Sequence, residues 1–568
     1  MTSTTERPEV SSASSSSPPH ISVAEAVGSA LGELGAAHIF GVVGSGNFHM
    51  TNALIRAGAG FTAARHEMGA ACMADAYARS TGRLTVVSVH QGCGLTNSLT
   101  GVTEAAKSGT PVIVLAGDTP GWNTASNFYI DQDAVVKGLG AVAERVHRPE
   151  TVWQDVARAV QTAVHRRKTV VLSVPLDLQE QQAPLRPASG LELLRPVHSG
   201  ASGPAVSEVA KALATAERPV IVAGRGGVHA VTELRALAEQ AGALLTTSAV
   251  ARGLFAHDPW YLDAMGGFAT DGSAELVAQA DLLVVFGAAL NKWTTRNGSL
   301  LLGKRVIQVD DRREAFGFHF PVDDAVLGDT RLTAEAVLGE LRGEAGGSRT
   351  GYRTESVAQK VRASRHWCEQ PFEDTSTETH IDPRLLTVEL DKKLPDHRVV
   401  VPDGGNFNAY PAMLFRVPDN TGYCLGLAFQ SIGLALSMGV GAATALRDRL
   451  PIVGVGDGGF MMSHVELDTA VRMQLRMVVV VYNDHAYGAE VHHFAHETDE
   501  LDTVVFPETD IASIARGYGC EAVTVRTADD LAVVDQWLES NVPVPLVIDA
   551  RITEFPSWVL AHSFEGAE

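Results

Sequence analysis

An α/β fold of three doubly wound parallel-sheet domains is predicted by three features of the 568-residue chain. Apolar runs of strand length recur between stretches with helical spacing of apolar residues. Many of these runs end in a glycine turn, as buried parallel strands do before a crossover helix. The length itself allows three or four domains. The expected division is a Ser/Thr/Pro-rich tail at 1–20, a first domain at 21–190, a central domain at 203–344, a linker at 345–380 and a third domain at 381–555.

In the first domain, Val23 to Leu34 has an amphipathic helical pattern. His38 to Gly41 reads as a strand entering the turn Gly44-Ser45-Gly46-Asn47. Phe61 to Ala64 reads as the next strand, and Arg65-His66-Glu67-Met68-Gly69-Ala70 opens a helix. Leu84 to Val89 is a buried strand followed by His90-Gln91-Gly92-Cys93-Gly94. Pro111 to Leu115 and Thr169 to Val174 complete the set, and Gln132 has no assigned role. Strand ends carrying Ser45, Glu67, His90 and Gln91 place polar groups where open α/β sheets bind ligands. A histidine there can exchange a proton near neutral pH. Glu67 also suits the first turn of its helix by charge alone.

The central domain has strands at Arg218 to Gly224, Ala243 to Thr246, Leu282 to Gly287 and Arg305 to Val309. Its Gly224-Arg-Gly-Gly227 turn lacks the full GxGxxG of a dinucleotide site. Gly343 to Gly351 is Gly/Ser-rich, as linkers are.

The third domain opens with the strand Val399 to Val401 and the loop Asp403-Gly404-Gly405-Asn406, whose backbone N–H groups suit a phosphate. Ile452 to Val455 is a strand ending in Gly456-Asp457-Gly458-Gly459. Ser463 and Glu466 have the spacing of a capping box for the helix carrying Leu467, Ala470 and Val471. Met477 to Tyr482 is another strand, closed by Asn483-Asp484. Asp457 and Asp484 thus stand at the carboxyl ends of two strands. A hard divalent cation takes oxygen ligands of this kind and bridges phosphate oxygens. A helix is expected from Gly488, carrying Glu490 and His493 on one side. No histidine set there has the spacing of a metal triad.

Gly-Asp-Gly, about thirty residues, then an Asn-Asp pair closing an apolar strand resembles the signature of thiamine-diphosphate enzymes of the acetolactate synthase, pyruvate decarboxylase and benzoylformate decarboxylase superfamily. The resemblance covers almost the whole chain after residue 20 and implies pyrimidine-binding, central and diphosphate-binding domains in that order. It implies magnesium held by Asp457, Asp484 and the Ala486 carbonyl. The second of these is usually asparagine, and an aspartate adds a charge. It implies that Glu67 shares a proton with the cofactor's aminopyrimidine. The Gln430 backbone would bind the exocyclic amine, and Ile432 would hold the two rings in the bent form. Asn406, Gly458, Gly459 and Tyr487 belong to the cofactor site by the same likeness. Ser45 and His90 resemble the substrate-facing pair of benzoylformate decarboxylase, with Gln91 beside them, and Glu490 has the offset of a glutamate in pyruvate decarboxylases.

The implied activity is that of a lyase or transferase: a 2-oxo acid is decarboxylated, and aldehyde is released or joined to an aldehyde or ketone acceptor. An acetolactate-synthase-type enzyme is the alternative, weakened by Ile130 where synthases carry glutamine. A non-catalytic binding protein on the same scaffold is the third reading. The segment Leu290-Asn-Lys-Trp293 departs from the flavin-bearing synthases, so no FAD is expected. Since the likeness draws each site from two subunits, a homodimer or homotetramer follows.

The net charge of −21 argues against a nucleic-acid surface. No apolar stretch is long enough for a membrane span, so no membrane partner is expected. Five dispersed cysteines without a CxxC pair fit reduced thiols in a cytoplasmic protein.

Overall fold

The computed structural model describes residues 20–185, 191–345 and 347–557. The tail expected at 1–20 lies, but for His20, outside them.

The strands in chain order are β1 (His20–Ser22), β2 (His38–Gly41), β3 (Gly60–Ala63), β4 (Thr85–Val89), β5 (Val112–Asp118), β6 (Val142–Arg145), β7 (Val170–Pro175), β8 (Gln182–Pro184), β9 (Pro219–Ala223), β10 (Leu244–Thr247), β11 (Tyr261–Ala264), β12 (Leu282–Phe286), β13 (Arg305–Asp310), β14 (Asp324–Leu327), β15 (Arg398–Pro402), β16 (Leu450–Gly456), β17 (Val478–Asn483), β18 (Glu521–Val525) and β19 (Leu546–Arg551). They form three parallel sheets, in the orders β3-β2-β4-β5-β7-β6, β11-β10-β9-β12-β13-β14 and β15-β16-β17-β19-β18. A separate antiparallel pair joins β1 to β8. Helices cover both faces of each sheet, so central strands such as β5, β9, β12 and β17 are buried end to end.

The strands the sequence did not reveal are edge or short ones, except β19, a fully buried six-residue strand between β17 and β18. Among the edge strands β6 reads Val-Ala-Glu-Arg and is only half-buried, so it lacks an apolar run. β14, Asp-Ala-Val-Leu, is short and partly exposed at the edge of the central sheet.

The expected linker is structured over much of its length. The helix Thr330–Ala345 runs into the Gly/Ser-rich stretch that begins at Gly343, and a second helix spans Glu355–Ser364. Thr354 caps the latter by accepting from Val357 N at 3.3 Å, and Ala358 and Val361 are buried beneath it.

Two helices join the first and third sheets into one core. Glu67–Thr81 lies against Ala435–Ala445, and residues of both belong to a single apolar cluster with β4, β5, β16 and β17. Gly441 meets the backbone of Met73 so closely that a side chain there would collide.

Candidate functional site

In the first sheet the strand order reverses beside β2, which pairs with β3 on one side and β4 on the other. The loops leaving β2 and β4 therefore open a crevice at the sheet's carboxyl edge. They bring together residues 45 positions apart: Ser45 Oγ and His90 Nε2 are 3.3 Å apart. His90 Nδ1 lies 3.0 Å from the Gln91 carbonyl, which can only accept, so Nδ1 carries a proton. In the neutral ring Nε2 is then the bare nitrogen, and it accepts from the Ser45 hydroxyl. The imidazole also packs on Phe128, with ring centres 5.0 Å apart.

Glu67 begins its helix and is buried, 8% exposed. Its Oε2 accepts from Asn97 Nδ2 at 3.1 Å. The His90 Cβ and the Glu67 carboxyl both lie beside Gly94: a Cβ there would lie 3.0 Å from the one and 3.5 Å from Glu67 Oε1. Ser45, Glu67 and His90 thus form one cluster. Gln91 is buried against Gly46, and its Oε1 has no hydrogen-bond partner.

Asn97 was missed by sequence reasoning, since an amide inside a helix has no distinguishing pattern. Gln132 proves to be a brace. Its Oε1 accepts from Gly92 N at 2.9 Å, and its Nε2 donates to the Gly117 carbonyl at 3.1 Å. That holds Gly92, whose φ of 60° favours glycine, at the turn into the Cys93–Ser108 helix.

In the third sheet β16 and β17 are adjacent and parallel, with Gly456 opposite Tyr482. Asp457 and Asp484 follow these strand ends directly, and their carboxyl groups lie close enough to influence each other's charge. Burial pushes both up from the usual carboxylate range, and the Asp457 charge raises Asp484 further. Two carboxyls in this relation share a proton. Asp457 Oδ1 is nevertheless buried without a partner. A hard cation would replace the shared proton and satisfy that oxygen, so these residues fit a divalent metal. Ala486 N reaches Asp484 Oδ1 at 3.3 Å, which folds the Ala486 turn back over the pair. Among the described residues no three His, Cys, Asp or Glu side chains converge on a metal position.

Tyr487 lies over Gly458, where any side chain would strike its ring, and it stacks edgewise on Phe506 at 4.9 Å. Gly459 packs against Asp403. Asp403 takes Gly433 N at 2.6 Å and Leu434 N at 3.1 Å, anchoring the end of the Gln430-Ser-Ile432-Gly433 loop to β15. Gln430 is held at φ 59°, a strained conformation for a non-glycine residue, and Ile432 stands half-buried beside Gly404.

Two expectations change. The Ser463–Glu466 capping box is absent. The helix begins earlier, at Asp457, because the glycine turn leads straight into it, and Glu466 starts a second short helix. Ser463 Oγ instead donates to the Gly459 carbonyl at 3.0 Å. The Asn406 side chain is engaged by the C-terminal segment: Nδ2 donates to the Phe555 carbonyl at 3.0 Å and Oδ1 accepts from Ser557 N at 2.8 Å. Its amide is thus committed to protein rather than free for a phosphate. Glu490 stands exposed on the predicted helix, Gly488–Phe494, directly after the Asp484 turn.

The five cysteines are free thiols. Among the described residues no helix is long and apolar enough to cross a membrane.

Comparison with known proteins covers all three sheets. Residues 21–135 match the thiamine pyrophosphate enzyme N-terminal TPP binding domain, 206–337 the central domain and 403–550 the C-terminal TPP binding domain. The chain is similar to an acetolactate synthase of Bacillus subtilis (strain 168), with 26% identity over 93% of each chain. It is also similar to a probable 2-ketoarginine decarboxylase of Pseudomonas aeruginosa, with 28% identity over 90% of each. In fold it resembles the thiamine diphosphate-dependent 4-hydroxybenzoylformate decarboxylase of Rhodococcus jostii RHA1, at a TM-score of 0.78 and 23% identity, over 94% of this chain and all of that one.

Proposed function

The chain belongs to the thiamine pyrophosphate enzyme family, and on that premise we propose that it decarboxylates a 2-oxo acid and either releases the aldehyde or joins the remaining fragment to an aldehyde or ketone. The observation that carries this is the cluster of Ser45, Glu67 and His90 at one sheet edge. It supplies a carboxyl for the cofactor and a bare imidazole nitrogen for the substrate. The family cofactor, thiamine diphosphate, supplies a carbon nucleophile and an electron sink.

Each residue's part follows from its surroundings. Asp457, Asp484 and the Ala486 carbonyl would hold magnesium, which would neutralise charge on the diphosphate. Gly458 and Gly459 let the backbone approach that group closely. Tyr487 closes over Gly458. Gln430 presents its backbone, and Ile432 its side chain, to the ring system. Glu67, oriented by Asn97, holds a proton at its carboxyl toward a ring nitrogen. His90 Nε2 takes a proton from Ser45 or returns one to a substrate oxygen or carbon. The buried Gln91 amide sits behind them, and Glu490 stands exposed on the helix that follows the Asp484 turn.

Glu67 and Asp457 serve different sites in this reading, as each subunit of a homodimer or homotetramer lends one half. The protein is assigned to the cytoplasm on its free thiols.

The acetolactate-synthase reading keeps one favouring observation, the match to a synthase along nearly the whole chain. A panel of 2-oxo acids, supplied with thiamine diphosphate and magnesium, with and without aldehydes, separates the two when products are identified by mass spectrometry. Aldehyde or mixed acyloin supports the decarboxylase–carboligase. Acetolactate as the dominant product from pyruvate replaces it with the synthase.

A further inference from the structure

Two buried glutamates lie outside every role assigned above, and they make mirror-image contacts. Glu466 belongs to the third region and is 1% exposed. Its carboxylate accepts from two successive amides of the first region: Arg65 N at 3.1 Å and His66 N at 2.9 Å. The next residue is Glu67. Thr469 Oγ1 braces the same carboxylate at 2.6 Å. Gly69 packs so closely on it that a side chain there would collide.

Glu104 belongs to the first region and is fully buried. Its carboxylate accepts from two successive amides of the third region: Ala428 N at 3.2 Å and Phe429 N at 2.7 Å. The next residue is Gln430, in its strained backbone conformation. Arg79 braces this carboxylate at 2.9 Å and also donates to the Leu425 carbonyl at 2.7 Å.

Each half of the chain thus grips, by a carboxylate, the two amides preceding a residue that faces the cofactor in the other half. We propose that Glu466 and Glu104 are a reciprocal pair of positioning residues, setting Glu67 and the Gln430–Ile432 loop respectively. A carboxylate suits this because it offers acceptors only, and buried bonds from N–H to a charged oxygen are among the stronger ones. A glutamine at 104 turns its NH2 against one of the two amides, since each carboxylate oxygen takes one of them. A glutamine at 466 sets its NH2 against Arg65 N, which lies 3.2 Å from Oε2, or against both amides if flipped. If Glu67 and Gln430 of one chain serve different sites, the clasps also tie the geometry of the two sites together.

The inference rests on the proposed cofactor roles for its consequence but not for its first test. Hydrogen exchange of the cofactor-free protein, read by mass spectrometry, should rise in the peptide covering Arg65 and His66 in Glu466→Gln and leave the Ala428–Phe429 peptide as in wild type. Glu104→Gln should do the reverse. With thiamine diphosphate and magnesium, Glu466→Gln should slow exchange of the bound cofactor's thiazolium proton about tenfold or more, while its calorimetric affinity stays within about threefold. Glu104→Gln should weaken that affinity about tenfold. Should Glu466→Gln fail to fold, Thr469→Val removes the brace alone and should give the same pattern more weakly. Unchanged local exchange in both variants overturns the clasps. So does a lowered melting temperature with proton exchange and affinity as in wild type, which would make both residues merely structural. A wild-type protein that binds no thiamine diphosphate would defeat the functional reading, and the cofactor-free exchange would still judge the contacts.

Discussion

The paired carboxyls Asp457 and Asp484 are the residues on which cofactor retention should depend most. Removing one leaves the diphosphate facing backbone dipoles and a lone acid. Asp457→Ala should lower thiamine diphosphate affinity by more than about 100-fold in calorimetry with magnesium. Full retention in that variant would place the metal elsewhere. Glu67 and His90 should divide the proton work. Glu67→Gln keeps its shape and its contact from Asn97 in reach but loses the shared proton, so thiazolium exchange should fall by orders of magnitude. His90→Ala should leave that exchange close to wild type and slow turnover about 10²–10⁴-fold. Equal loss of exchange in both would contradict the division, and normal turnover in His90→Ala would make the histidine structural.

β2 carries the scaffold of this cluster, and its first residue has an acid-sensitive consequence. His38 is bonded to Thr62 Oγ1 at 2.9 Å and stacked on Tyr77. Burial holds its imidazole down at about 4, with repulsion from Arg447 adding to the effect. Above pH 6.5 the ring is neutral folded or unfolded, and contributes no pH dependence. As pH falls from 6.5 to 4, the unfolded chain takes a proton that the folded chain refuses. The folded state therefore loses up to about 3 kcal/mol across that window. His38→Gln should flatten this part of the stability profile, measured on the cofactor-free protein by denaturant midpoints at stepped pH. An identical slope in variant and wild type would show that His38 is not the group responsible. The helices packed behind β2 have little tolerance of their own, since the Gly441 contact with Met73 leaves no room for a methyl group.

At the scale of the whole molecule, the decisive question is whether a working site draws on two chains. Asp457→Ala and Glu67→Gln are each expected to be inactive. A mixed dimer of the two would own one intact site, from the Glu67 of one chain and the Asp457 of the other. Mixed in equal amounts and allowed to reassort, the variants should recover roughly a quarter of wild-type activity, by random pairing of a twofold assembly. No recovery, with reassortment verified by native mass spectrometry, would place both halves of each site in one chain. The net charge of −21 makes a local site more important for an anionic 2-oxo acid, since the overall field repels it.

The sequence by itself determined the three α/β regions, because strands buried on both faces must be apolar throughout and are legible as runs. It also determined the ends of β16 and β17, where Asp457 and Asp484 break such runs, and the start of the helix at Glu67. Local chemistry suffices for those, since a strand end, a glycine turn and an acid lie within a few residues of one another. Edge strands such as β6 escaped because their burial is partial and their composition mixed. Only the tertiary structure decided that Ser45 meets His90, that Asn97 orients Glu67, and that Asn406 is taken up by the C-terminal segment. It alone turned Glu466 from an expected cap of its own helix into a clasp on Arg65 and His66. A carboxylate satisfies whichever buried amides lie nearest, and over 400 residues of separation that choice is made by how the two sheets pack, which no local pattern encodes.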